Sequence, residues 1–129
     1  MNAKNNIAIA LAAGIAIGGA AIQTLDAQAK PPAYIVYDIS DITDPEGFKA
    51  LGQRSNEAAA AVFKNAGGRY IARTPNLTAL DGTPPKRIII IAFDSVEKAK
   101  SWNDSPGQKE VNAIRMKTTK SRAFVVEGM

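Results

Sequence analysis

The chain has 129 residues, 46% apolar and 22% charged, with a net charge of +4 from 16 basic and 12 acidic side chains. That is room for one globular domain of ordinary composition, and its basic residues are scattered: only Lys117, Lys120 and Arg122 approach a patch, without the aromatic interleaving of a nucleic-acid surface. Histidine and cysteine are absent, which excludes zinc sites built on them, iron–sulfur clusters, His-ligated haem, thiol redox chemistry and Ser-His-Asp or Cys-His catalysis, leaving Asp, Glu, Lys or Tyr as any general acid or base.

Residues 1–29 read as an address. Lys4 precedes an uncharged run, 7–22, made only of Ile, Ala, Leu and Gly, and "AQA" at 27–29 is a small-residue cleavage signal. The run falls short of the ~20 residues that comfortably span a bilayer. The expected product is a signal peptide cut between Ala29 and Lys30, giving a periplasmic or secreted domain of residues 30–129 with no stable membrane insertion. The competing reading is an uncleaved anchor, in which Gly14 and Gly18 form a G-x-x-x-G packing pair.

After Pro31-Pro32, the β-branched and aromatic stretch Tyr34–Ile39 predicts a strand. Asp44 and Pro45 then start a helix, one as cap and the other in the first turn. Phe48, Leu51, Ser55, Ala58 or Ala59, Val62 and Ala66 recur at helical spacing until Gly67-Gly68 ends it. "RYIAR" at 69–73 predicts a second strand, interrupted by Pro75 and resumed at "TALDG", 78–82. Arg87–Phe93 is the third strand. Asp94 with Glu97 resembles a capping box for a short helix bearing Val96, Ala99 and Trp102. "SPGQ" at 105–108 is a cleaner one, with Ser105 as cap and Gln108 reaching back, and its helix carries Val111, Ile114 and Thr118 inward. "RAFVVEG" at 122–128 is the last strand.

The order β-α-β-β-α(α)-β predicts an α+β domain: a ferredoxin-like four-stranded antiparallel sheet with helices on one face. "RIIIIAF" at 87–93 does not alternate apolar with polar, so both its faces must avoid water. The other sheet face would be a bare apolar surface larger than soluble monomers usually carry, and burial at ~25 cal/mol per Å2 favours covering it with a second copy. The expected partner is therefore the chain itself, a homodimer through the open sheet face; the alternative is a monomer whose sheet holds a lipid-like ligand.

The ordered set "AYIVYDI", "TDPEGF", "AGGRYIAR", "LDGTPPKRIIIIAFDSVEKAKSW", "SPGQKE", "IR" and "VVEG" resembles the DUF1330 family of the dimeric α/β-barrel superfamily, over 33–128. The resemblance implies the ferredoxin-like fold and a dimer, with no general activity attached. Leu51, Asn103 and Gln108 stand where members often carry tyrosine, and Asp81 where a glutamate is common, so a pocket built on those tyrosines would be altered here. In that superfamily small molecules bind between sheet and helices.

Residues able to reach such a cleft are Arg73, Asp81, Arg87, Trp102, Ser105 and Arg115. Arg87 with Arg115 would hold a carboxylate by forked hydrogen bonds, and Trp102 would wall the pocket. The plainer roles are core packing for Trp102, capping for Ser105, and pairing with Asp81 or Glu127 for Arg87. Asp38, Asp41 and Asp44 lack the spacing of a calcium loop, so no metal or cofactor is expected. Catalytic residues stay unassigned. The reading is a binder of a small acidic or aromatic molecule; the alternatives are a non-catalytic structural or stress-related envelope module and a cofactor-independent monooxygenase- or isomerase-like enzyme.

Overall fold

Two adjacent apolar strands fix the architecture. The computed structural model describes residues 30–55, 57 and 59–129, so the leader and its cleavage site lie outside the described residues. The elements are β1 (Ala33–Ile42), α1 (Pro45–Ser55), α2 (Ala60–Asn65), β2 (Arg69–Thr74), β3 (Arg87–Phe93), α3 (Val96–Asn103), α4 (Pro106–Thr118) and β4 (Thr119–Glu127). They form one antiparallel sheet in the order β2-β3-β1-β4, the ferredoxin-like arrangement, with β1 and β3 at its centre.

Register divides the isoleucines of β3 between two faces. Ile35 pairs with Ile91, Tyr37 with Ile89 and Ile39 with Arg87. Paired residues project to the same side of the sheet. Ala33, Ile35, Tyr37 and Ile39 are buried beneath the helices, so Arg87, Ile89 and Ile91 share that side. Ile88 and Ile90 lie opposite Asp38 and Val36 on the other face, joined across β1 by Phe124 and Val126. Phe124 and Val126 remain 44% and 42% exposed. The open face is therefore a band of Tyr34, Val36, Ile88, Ile90, Phe124 and Val126 that no helix of this domain covers.

The core under the helices is aromatic. Phe63 of α2 meets Phe93 of β3 and Trp102 of α3 with ring centroids 5.8 and 5.6 Å apart, and Phe93 lies 5.2 Å from Trp102. Such tilted and edge-on pairs add about 0.5–1.5 kcal/mol each beyond their buried area.

Three local expectations need correction. The helix expected from Asp44 to Gly67 is broken, with Ala59 in the left-handed conformation at φ 55°. Ala59, Val62 and Phe63 pack on the core, whereas α1 makes its main contacts with α4; one straight helix would not serve both directions. "TALDG" forms no strand and belongs to the connection between β2 and β3. The cap of α3 is Ser95 and not Asp94: its hydroxyl accepts from the Lys98 N–H at 3.2 Å. Asp44 does cap α1, accepting from the Gly47 N–H at 3.1 Å. Gly67 takes φ 72° to end α2, and a Cβ there would meet the Asp94 carboxylate.

Candidate functional site

A cleft of about 80 Å³ opens between the sheet and helices α1 and α4, several times the space that one water needs. Its floor is Tyr37 of β1, Ile89 and Ile91 of β3 and Tyr70 of β2; its walls are Phe48 and Leu51 of α1, Trp102 of α3 and Val111 of α4. The cleft exists because α1 stands off the sheet. Its two ends are held by α4: the Thr118 carbonyl accepts from the N–H groups of Thr43 and Asp44 just before α1, and Arg54 pairs with Glu110.

Four of the six expected residues meet in this cleft: Arg73, Arg87, Trp102 and Arg115. A bulge does part of the work. The pairing of β2 with β3 shifts between Tyr70 and Ala72, leaving Ile71 as the extra residue and 54% exposed. Strict alternation would put Tyr70 and Arg73 on opposite faces, since they are an odd number of residues apart. The bulge restores both to the cleft side.

The remaining two do not reach it. Asp81 is exposed in the β2–β3 connection, away from the cleft lining. Ser105 is buried, yet its hydroxyl turns back to donate to the Trp102 carbonyl at 2.6 Å and caps nothing. The expected capping box at 105–108 is therefore not formed, and Gln108 is released from that role into the cleft. Arg87 pairs with neither Asp81 nor Glu127 among the described residues; its guanidinium stands 6.0 Å from the Phe48 ring. The three acids considered for calcium are each engaged elsewhere: Asp38 with Arg122, Asp41 with Lys86, and Asp44 as a cap.

All three cleft arginines lie over aromatic rings. Arg73 is 4.7 Å from the Tyr70 centroid and Arg115 is 4.9 Å from that of Tyr37, distances at which a guanidinium is held by the ring's negative face. Arg115 also donates from Nη1 to the Ser121 hydroxyl at 2.7 Å. Among the described residues no carboxylate lines the cleft.

Sequence reasoning missed Tyr37, Gln108 and Asn112. Four buried polar atoms around the cleft make no hydrogen bond of good geometry, the Tyr37 hydroxyl, Trp102 Nε1, Gln108 Oε1 and Arg115 Nε, although the Gln108 side chain lies close enough to the Tyr37 hydroxyl to act on its pKa as a hydrogen-bond partner. Tyr37, Trp102 and Gln108 are no more than 4% exposed. The Gln108 amide is fixed from behind: its Nε2 donates to Asn112 Oδ1 at 3.1 Å, and Asn112 Nδ2 donates to Asn103 Oδ1 at 2.8 Å. Leu51 and Gln108, two of the positions flagged as departures from the family pattern, thus line the cleft, and the third, Asn103, anchors its wall. Their signal was the departure itself.

Burial pushes the Tyr37 hydroxyl up to about 12, against the opposing pull of the Arg115 charge and of adjoining Gln108. Burial also lowers Arg115, while Tyr37 raises it. Tyr37 therefore keeps its proton at any ordinary pH.

The comparisons with known proteins agree with this architecture. The family model for a domain of unknown function, DUF1330, matches residues 32–129, and the chain belongs to that family. No curated protein matches the sequence. A protein of unknown function from Rhodopseudomonas palustris is similar in structure, with TM-score 0.59 and 15% identity over 86% of this chain and 93% of that one. A dimeric ferredoxin-like protein of unknown function from Thermobifida fusca aligns with TM-score 0.57 and 12% identity, over 77% and 92%. SnoaB, a cofactor-independent oxygenase from Streptomyces nogalater, aligns with TM-score 0.51 and 15% identity, over 77% and 94%. At these identities the likeness is one of fold.

The Tyr37 shift has a consequence for stability. Above pH 10 an unfolded tyrosine loses its proton while folded Tyr37 retains its own until about pH 12, so the folded state binds more protons and stability falls across that window. Between pH 9 and pH 11 the wild type should lose about 1.4 kcal/mol more unfolding free energy than Tyr37→Phe. Urea unfolding of the two proteins at both pH values measures the difference.

Proposed function

We propose that this protein is an exported, homodimeric binding protein that holds a small anion with an apolar body in the sheet–helix cleft. The observation that carries the reading is the lining itself: three arginines over aromatic rings and the unsatisfied buried donors Trp102 Nε1 and Arg115 Nε around one apolar cavity, with no carboxylate among the described residues that line it. An unpartnered buried polar atom costs about 1–3 kcal/mol, and a ligand that supplies the missing partners recovers much of that. The arginines select negative charge, and Phe48, Leu51 and Val111 accept the ligand's apolar part.

Binding is favoured over catalysis by what the lining does not contain. Among the described residues no Asp, Glu or Lys lines the cleft, and Tyr37 holds its proton too tightly to act as a base. The likeness to a cofactor-independent oxygenase is one of fold and brings no base with it.

Gly52 provides the test. It lines the cleft on α1, and a Cβ added there would meet nothing within 4 Å. Trp102 is the single tryptophan of the chain and reports on the cavity by its fluorescence. Benzoate should shift that emission saturably while benzyl alcohol, its uncharged counterpart, should not. Gly52→Leu should abolish the response with no loss of thermal stability, since Gly gives way to a better helix former. An unchanged response in Gly52→Leu, or equal responses to the two compounds, contradicts the reading.

Dimer and export rest on other features: the uncovered apolar band of the open sheet face and the leader pattern of residues 1–29. In an isologous dimer this band would pack against its own copy about a two-fold axis. Native mass spectrometry of the protein from the exported fraction should give twice the mass of residues 30–129. A monomeric mass would remove the dimer, and a chain retaining residues 1–29 would remove the cleavage.

A further inference from the structure

Arg115 is held in the cleft by a ring of hydrogen bonds that closes on the residue itself. Its Nη1 donates to the Ser121 hydroxyl at 2.7 Å, and that oxygen lies 2.8 Å from the Thr119 hydroxyl. Thr119 in turn donates to the Arg115 carbonyl at 2.7 Å. A carbonyl can only accept, and each hydroxyl carries one proton. One assignment alone satisfies all three contacts: Thr119 gives its proton to the carbonyl, Ser121 gives its own to Thr119, and a Ser121 lone pair receives Nη1–H. The ring bridges the end of α4 and the start of β4, and Thr119 is only 6% exposed. One face of the guanidinium lies over the Tyr37 ring, its carbon 4.9 Å from the centroid.

These contacts leave one edge of the group for the cleft that Arg115 lines. Nη1 sits on the same side of the guanidinium as Cδ, so the parallel pair of N–H groups is Nε with Nη2. Nε is buried without a partner, and among the described residues Nη2 makes no hydrogen bond. That edge is the fork that takes both oxygens of one carboxylate. A guanidinium already fixed in its binding pose gives up little further freedom when the ligand arrives.

We infer that Thr119 and Ser121 are positioning residues that hold Arg115 ready to take a carboxylate side-on, through Nε and Nη2. The inference rests on the anion-binding reading above and narrows the anion to a carboxylic acid.

Ser121→Thr and Ser121→Val test the positioning, because the two new side chains share a shape and differ by the hydroxyl. In calorimetric titration Ser121→Thr should keep the wild-type affinity for benzoate, and Ser121→Val should bind it about tenfold more weakly, having lost a hydrogen bond to a charged group. Arg115→Lys keeps the charge but loses the fork, and should also bind at least about tenfold more weakly. In the 15N-labelled wild type, saturating benzoate should move the Arg115 Nε–H signal downfield. Equal affinities in Ser121→Thr and Ser121→Val overturn the positioning role. An unmoved Nε–H signal in a protein that binds benzoate, or wild-type affinity in Arg115→Lys, overturns Arg115 as the seat and leaves the anion reading intact. Absence of benzoate binding by the wild type overturns both. Should Ser121→Val fail to fold, Ser121→Ala against Ser121→Thr makes the same comparison.

Discussion

The central strands of this domain are apolar on both faces, and every other element answers to that constraint. A strand such as β3, with Ile89 and Ile91 on one side and Ile88 and Ile90 on the other, lowers its free energy only if both sides are covered. Helices α2 and α3 cover one side through the Phe63–Phe93–Trp102 cluster. Helix α1 closes the rest of that side incompletely, because both its ends are tied to α4, one through the Thr118 carbonyl and the other through the Arg54–Glu110 ion pair. The gap it leaves is the cleft. The other side is the apolar band of the open sheet face, which no helix of this domain covers.

The cleft is polar in an economical way. Each arginine faces an aromatic ring, whose π density favours a guanidinium above it. The same burial that raises Tyr37 lowers Arg115, leaving a neutral hydroxyl beside a cation. That pair can donate hydrogen bonds to an anion but cannot remove a proton from a substrate near neutral pH.

Much of this was legible in the sequence. The alternation of strands and helices, the Asp44 cap and the cleft side of Arg87 and Arg115 follow from local patterns. Arg73 reaches the cleft side for a reason the sequence does not display: the bulge at Ile71 that turns it there has no clear signature in "RYIART". The helix break at Ala59 was missed because an alanine-rich stretch reads as continuous helix, and only the need to bury Phe63 overrides it. Ser105 and Gln108 match a capping box letter by letter, but Ser105 binds the Trp102 carbonyl instead. Tyr37 reads as one more residue of an apolar strand. Its importance comes from Arg115 and Gln108, which approach it from a helix far along the chain.

The account stands or falls on whether the buried polar atoms of the cleft meet a ligand. Amide-correlation NMR of the 15N-labelled protein observes one of them directly, because the Trp102 indole N–H gives a single resolved signal in a chain with one tryptophan. On adding benzoate, the Trp102 indole signal should move together with the side-chain amide of Gln108, while the backbone amides of Phe124 and Val126 on the open sheet face stay in place. Movement confined to Phe124 and Val126, or no movement of the indole at saturating benzoate, would contradict it.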